Sequence, residues 1–310
     1  MKETAVLGID LGGTKISGAI FNRRGELIQH EQRLINQLKG PEVADLLIRL
    51  IEQLQMAAEK MPIRIKAIGI AIPGIFHTAD GTVWAPNIAG WEKFPLRRVL
   101  RQHLDDALHI EIDNDRACYI LGETWKGAAR GCKHAVFMAV GTGIGAGILI
   151  DGQVLRGQSG IAGAIGWLAL SEKFIDPYAK YGCFEHHASG HGIARLAAGR
   201  YSRTAGNELT AEEVFQSYAK GDPVAGKVIQ DAIGCWGRAT ANLVSLFNPE
   251  KIIFGGGVFG PASGFLEAIY QEASKWAQPV SIRQVQLVNS ALQGQAGLYG
   301  AAWLVKDHLT

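Results

Sequence analysis

The chain has 310 residues, 47% of them hydrophobic and 19% charged, which is enough apolar surface to exclude intrinsic disorder and a length that allows two ordinary domains. Thirty-one Lys and Arg against 29 Asp and Glu leave a formal charge of +2 without long runs of one sign, which excludes an electrostatic footprint for nucleic acid or an anionic membrane. The 39 glycines occur with only 10 prolines and no Gly-X-Y period, so neither collagen nor a flexible linker accounts for them.

In chain order, Ala5 to Ile9, Lys15 to Phe21 and Glu26 to Arg33 read as three strands joined by tight turns. Leu46, Leu47, Leu50, Ile51 and Leu54 then share one helical face, and Pro62 stops the pattern. Ile65 to Ile72 reads as a buried strand ending at Pro73-Gly74, and His109 to Ile112 as another ending at Asp113-Asn114-Asp115. His134 to Val140, the turn Gly141-Thr142-Gly143-Ile144-Gly145 and Ala146 to Ile150 read as a second copy of the opening: strand, Gly-Thr turn, strand. Helices are predicted after Ser189, after the capping-box sequence Thr210 to Glu213, and from about Val224 to Phe247. Ile252 to Phe254 is a strand leading into Gly255-Gly256-Gly257, followed by helices at Phe265 to Trp276 and Gln295 to Leu304. The last is rich in Ala and Gly; Gly297 and Gly300 in it, Gly294 beside it, and Gly234 and Gly237 in the long helix are predicted at close helix contacts. No apolar stretch reaches transmembrane length and the start lacks a signal-peptide layout, so a cytoplasmic protein is expected. In that compartment Cys118, Cys132, Cys183 and Cys235 are expected as buried small hydrophobes.

Three strands therefore stop at polar or glycine-rich loops, where ligands collect in open α/β sheets. In Asp10-Leu11-Gly12-Gly13-Thr14-Lys15 the glycines let backbone amides approach an anion, Thr14 offers a hydroxyl, Lys15 a charge, and Asp10 a carboxylate for hydrated Mg²⁺; the alternative is a hairpin turn requiring positive φ. Gly141 to Gly145 repeats this chemistry, leads into a strand and lacks the Lys-Ser/Thr ending, so it is neither a dinucleotide fingerprint nor a Walker loop. Asp115 either caps the helix that follows or acts as a general base on a hydroxyl attacking a phosphoryl group; Asp113 alternates to the other face of the strand.

Ile9 to Lys15, Pro86-Asn87 with Gly90-Trp91, Asn114-Asp115, Gly141 to Gly145, Gly163 to Gly166 and Gly255 to Gly257 occur in the order seen in the ROK family (repressors, open reading frames and kinases), which the whole chain resembles. The resemblance implies an α/β fold of two ribonuclease-H-like domains of the actin, hexokinase and Hsp70 ATPase superfamily around a central cleft. The expected division is 1–116 plus 296–310, with the first phosphate loop and part of the sugar site, and 117–295, with the nucleotide site. It implies Asp115 as catalytic base, and Gly74, Asn87, Asn114, Asp115 and Glu185 as sugar-site residues. Asp10, Gly12, Gly13, Thr14 and Lys15 would form the first phosphate loop, Thr142 and Gly143 the second, and Gly256 with Gly257 the adenosine contact. The implied activity is ATP- and Mg²⁺-dependent phosphorylation of a sugar or sugar-like polyol, at its primary C6 hydroxyl, by a homodimer with no nucleic-acid or membrane partner.

Two departures mark this chain. Ala164-Ile165-Gly166-Trp167 stands where the family has Glu-x-Gly-His, so a sugar-binding Glu and a zinc-binding His are gone. Of the family's zinc-binding Cys-x-Cys-Gly-x-x-Gly-Cys only Cys183 remains, and one thiolate does not make a four-coordinate site, so no structural zinc is expected even with His186, His187 and His191 nearby. Packing of Trp167, Phe174, Tyr178 and Tyr181 is the expected replacement staple. The missing Glu and His also motivate an alternative, a catalytically reduced sugar sensor acting through a protein partner. A DNA reader is not expected, since the first strand begins by residue 5.

Overall fold

The computed structural model describes residues 2–201 and 209–309. They group into two compact units, Met1–Arg130 with Arg156–Ala162 and Gln295–Thr310, and Gly131–Leu155 with Gly163–Gly294.

The first unit opens with an antiparallel meander of β1 (Glu3–Leu11), β2 (Lys15–Asn22) and β3 (Leu27–Leu34). Helix α1 (Pro41–Glu59) starts with Pro at its N-terminus and buries Val43, Ala44, Leu47, Ile48, Leu50, Ile51 and Leu54 along one face, at about 1.5–3 kcal/mol per buried side chain. After β4 (Ile63–Ile72) come the short hairpin β5 (Ile75–His77) and β6 (Thr82–Trp84), α2 (Leu96–His103), β7 (His109–Asn114) and α3 (Asp115–Lys126). The sheet order is β3-β2-β1-β4-β7, with β4 and β7 parallel to β1.

The second unit has β8 (Ala135–Val140), β9 (Ile144–Ile150) and β10 (Gln153–Val154), then the helices α4 (Pro177–Tyr181), α5 (Cys183–Ala188), α6 (Gly190–Arg200), α7 (Ala211–Ala219) and α8 (Pro223–Phe247). It ends with β11 (Lys251–Gly255), α9 (Leu266–Ser274) and β12 (Gln286–Asn289). Its order, β10-β9-β8-β11-β12, repeats the first sheet: a meander of three strands and then two strands parallel to the first. The second copy expected from the Gly-Thr turns is thus a copied sheet. Ser189 and Asp222 cap α6 and α8, and Thr210 and Glu213 form the expected capping box on α7.

Helix α10 (Ala296–Leu304) returns to the first unit and packs on β1, β4 and α3. A Cβ at Gly8 or Gly69 would overlap the carbonyls of Leu298 or Ala301, and one at Gly122 or Gly300 those of Ala296 or Cys118, so glycine permits this close approach. Gly237 likewise lies against Glu272 of α9. Gly294 and Gly234 do not serve this purpose: nothing lies within 4 Å of a Cβ at Gly294, and only the tip of Arg238, at 3.4 Å, would meet one at Gly234. All four cysteines are buried and free. Among the described residues no helix is long and apolar enough to cross a membrane.

Candidate active site

In the first unit, β7 ends at Asn114, whose Oδ1 accepts the N–H of Ala117 at 2.8 Å and so caps α3. The cap is Asn114, which leaves Asp115, the first helical residue, for other work. Asp115 Oδ1 accepts the N–H of Arg116 at 2.8 Å and Oδ2 the Tyr119 hydroxyl at 3.4 Å, and the side chain is only partly buried. Burial pushes its carboxyl up to about 6, against the opposing charge of Arg116 and the hydrogen bonds from the Arg116 N–H and Tyr119. Asp10, near the end of β1, is pushed up to about 7 by burial and then by the charge of Asp115, with Lys15 opposing. Its carboxylate lies against Gly297 in the first turn of α10, and among the described residues no hydrogen bond to it contributes to its shift. A carboxyl raised by burial and by the charge of Asp115, and without a donor among the described residues, fits a hydrated divalent cation such as Mg²⁺.

Neither Gly12 nor Gly13 has a positive φ, so backbone strain is not the reason for glycine in this loop. The Gly12 N–H closes the turn on Lys15 O at 2.9 Å, while Gly13, Thr14 and Lys15 are exposed. A Cβ on Gly13 would stand 3.2 Å from that of Asn87, which brings the first phosphate loop and one expected sugar residue together. Asn87 is exposed in a tight loop held by Ala85 N to Trp91 O at 2.8 Å. Trp91 anchors that loop, fully buried, with its indole N–H on Gly40 O at 2.9 Å and its ring stacked on Phe94 at 4.5 Å. At Gly74 a Cβ would overlap the carbonyl of Trp84, so its glycine is required by packing.

In the second unit, the turn between β8 and β9 exposes Thr142, and nothing lies within 4 Å of a Cβ at Gly141. Glu185 of α5 reaches this turn: its Oε2 accepts the Ile144 N–H at 2.7 Å, and a Cβ at Gly143 or Gly166 would stand 2.7 or 3.0 Å from that oxygen. Burial raises the Glu185 carboxyl above its usual range, opposed first by that N–H. Gly256 takes φ +90° against the backbone of Val140, a conformation that favours glycine, whereas the neighbourhood of Gly257 is open.

The replacement for the zinc staple differs from expectation. Trp167 and Phe174 are 58% and 70% exposed, and only Tyr178 of the four rings is buried. Tyr178 packs edge-on against His186 and His187 at 5.3 and 5.5 Å and bonds His187 Nε2 at 2.6 Å, while Tyr181 lies under the Arg195 guanidinium at 4.6 Å. Arg195 also donates to His186 Nδ1 at 2.9 Å, and burial pushes the His186 imidazole down to about 4. His186 is therefore buried and His187 partly buried, each with a partner for a ring nitrogen, and the larger Trp167 and Phe174 stayed out. Among the described residues no group of three or more His, Cys, Asp or Glu side chains is placed to hold a metal ion. One pair was not anticipated from sequence: Arg156 donates to Asp113 Oδ2 from Nε at 3.0 Å and Nη2 at 2.6 Å.

The ROK family model matches residues 6–308. The chain belongs to the ROK family. A glucokinase of Halalkalibacterium halodurans is 31% identical over 99% of this chain and 96% of its own length. The ROK hexokinase of Thermus thermophilus superposes with a TM-score of 0.82 at 31% identity, covering 98% of this chain and 99% of that one. A ROK glucokinase of Streptomyces griseus, solved with glucose and AMPPNP, gives 0.80 at 26% identity over 97% and 98%. The twice-repeated sheet is accordingly the actin and hexokinase ATPase fold, and this ROK protein is a sugar kinase.

Proposed function

We propose that this ROK kinase transfers the γ-phosphoryl group of ATP to the primary C6 hydroxyl of a sugar or sugar-like polyol, with Asp115 as general base. The observation that carries the reading is the setting of Asp115: a half-buried carboxylate freed from capping by Asn114, held by an N–H and a hydroxyl, and in the same unit as Asp10 and the Gly12-Gly13-Thr14-Lys15 turn. A base titrating near 6 is ionised at neutral pH and still basic enough to take a proton as the hydroxyl attacks. Asn87 would accept from and donate to sugar hydroxyls and Glu185 would accept from them, with Asn114 and Gly74 as further sugar-binding residues. Lys15 and the amides of the first turn would neutralise charge growing on the transferring group. Thr142, Gly143, Gly256 and Gly257 would receive the nucleotide. Mg²⁺, held through water by Asp10, would supply charge neutralisation across the phosphates. The same reading carries a cytoplasmic homodimer.

The solved structure of a relative with glucose and AMPPNP supports the pairing of a sugar with a nucleotide. ADP release measured across a panel of sugars tests the reading. At least one sugar should raise turnover above basal ATP hydrolysis, and Asp115→Asn should lower that turnover by about 10²–10⁴. No sugar-dependent turnover, or full activity in Asp115→Asn, refutes it.

A further inference from the structure

Asp113, two residues before Asp115, has no part in the chemistry above. Its side chain is 13% exposed, and both carboxylate oxygens are engaged. Oδ1 accepts the backbone N–H of Asn114 at 2.8 Å and its carboxamide Nδ2 at 3.2 Å. Oδ2 accepts two donors of one guanidinium, Arg156 Nε and Nη2. Asn114 caps α3 through Ala117, and Asp115 is the next residue. A continuous line of hydrogen bonds thus runs from Arg156 through Asp113 and Asn114 to the turn that carries Asp115. Arg156 opens the segment 156–162, which lies in the first unit although Leu155 and Gly163, on either side of it, belong to the second. Residues 156–160 and Asn114 line one cavity of about 690 Å³ along β7. An exposed ion pair between flexible side chains does little, but here one partner is nearly buried and its other oxygen is fixed to a helix cap, so the orientation of one group constrains the other.

We propose that Arg156, acting through Asp113, is a positioning residue that holds Asn114 and Asp115 in the orientation needed for proton abstraction. The proposal rests on the reading of Asp115 as base. Reaction rate is steep in such placement, where a 1 Å error costs about 10²-fold. Without Arg156 the Asp113 carboxylate turns toward water and no longer fixes the Asn114 amide.

The test is a double-mutant cycle of Arg156→Gln and Asp113→Asn, with kcat, KM and Tm measured for each protein and Asp115→Asn run in parallel. Each single variant is expected to lose about 10-fold in kcat, with the KM for ATP and the Tm little changed. The double variant should be no slower than the worse single one. Arg156→Lys, which keeps the charge and loses the fork, should recover part of the rate. Losses that multiply in the double variant, single variants with unchanged kcat, or losses that follow the folded fraction overturn the proposal. An active Asp115→Asn overturns the base itself; an inactive Asp115→Asn beside a fully active Arg156→Gln overturns the positioning role alone.

Discussion

Replacing Gly297 with Ala separates the placement of Asp10 from the stability of the fold. Gly297 is the second residue of α10, and a Cβ there would stand 2.5 Å from Asp10 Cγ and 2.9 Å from its Oδ1. Ordinary contact begins at 3.4 Å, so the carboxyl must retreat by about 1 Å. Helix propensity favours Ala over Gly by about 1 kcal/mol, and forcing Asp10 off its rotamer costs about 0.5–1.5 kcal/mol. The two nearly cancel, leaving Tm within about 4 °C of the parent. A 1 Å displacement at the reacting centre costs about 100-fold in rate, or about 2.7 kcal/mol of transition-state stabilisation. Gly297→Ala is therefore expected to melt like the parent and to lose most of its kcat/KM in a coupled ADP-release assay. Gly294→Ala, where a Cβ meets nothing within 4 Å, serves as the neutral control. Activity retained near the parental rate, or lost only as the protein unfolds, would refute the argument.

The carboxyl pair predicts a pH dependence of stability. Asp10 and Asp115 titrate near 7 and 6 in the folded chain against 3.8 unfolded, so the folded chain binds more protons between those values and their contribution, present in acid, is lost as pH rises through 6 to 7. In Mg²⁺-free buffer the protein should lose stability from pH 5 to pH 8, read as a falling Tm, and Asp10→Asn should remove about 2 kcal/mol of that loss after discount for solvent; an unchanged loss counts against the reading. Glu185→Gln keeps an acceptor for the Ile144 N–H and loses the charge, so the sugar KM should rise about 10-fold with the ATP KM unchanged, a split that steady-state kinetics reads directly. Trp91→Phe leaves the Gly40 carbonyl without its indole donor and should cost about 1–3 kcal/mol in a urea melt while kcat holds; a loss of kcat with stability intact would mean that Trp91 serves the site.

The elements legible in the sequence were those whose burial is one-sided or complete over many residues. The apolar runs of β1, β4 and β8 and the striped face of α1 follow directly from that. The β5–β6 hairpin has three residues in each strand, and α2 buries only Leu96 and Leu100, so neither has enough length to show a period. Strand β12, exposed at Gln286 and Asn289 and half-buried only at Leu287 and Val288, lacks an apolar run. Of the candidate residues, Asp115 stood out in the sequence because a carboxylate at a strand end is conspicuous, and the structure places it as the first residue of α3 with Asn114 as the cap. The Arg156–Asp113 pair was not, since its members are 43 residues apart and no local pattern joins them. The aromatic staple misled for a different reason: ring size predicts burial only on average, and Trp167 and Phe174 lie outside while His186, with a partner for a ring nitrogen, lies within and His187 lies partly so.

The two sheets share strand order, yet their loops differ chemically at matching places. In the first unit Leu11 pairs with Ile16 at the mouth of the opening hairpin, and in the second Val140 pairs with Ile144. The preceding position is Asp10 in one and Ala139 in the other. The fifth strand of the first sheet runs into Asn114-Asp115; that of the second ends at Asn289, followed by Ser290. Both carboxylates thus belong to one copy, and both are pushed toward neutrality by their surroundings. The Gly141-Thr142-Gly143 turn of the other copy has no charged residue of its own, and the carboxylate beside it is that of Glu185, which accepts the Ile144 N–H. A duplicated scaffold that carries a carboxylate at the end of its first and fifth strands in one copy and none at the matching positions of the other has kept the sheet and changed the chemistry at its strand ends, and the acid near the second turn, Glu185, comes from helix α5 instead.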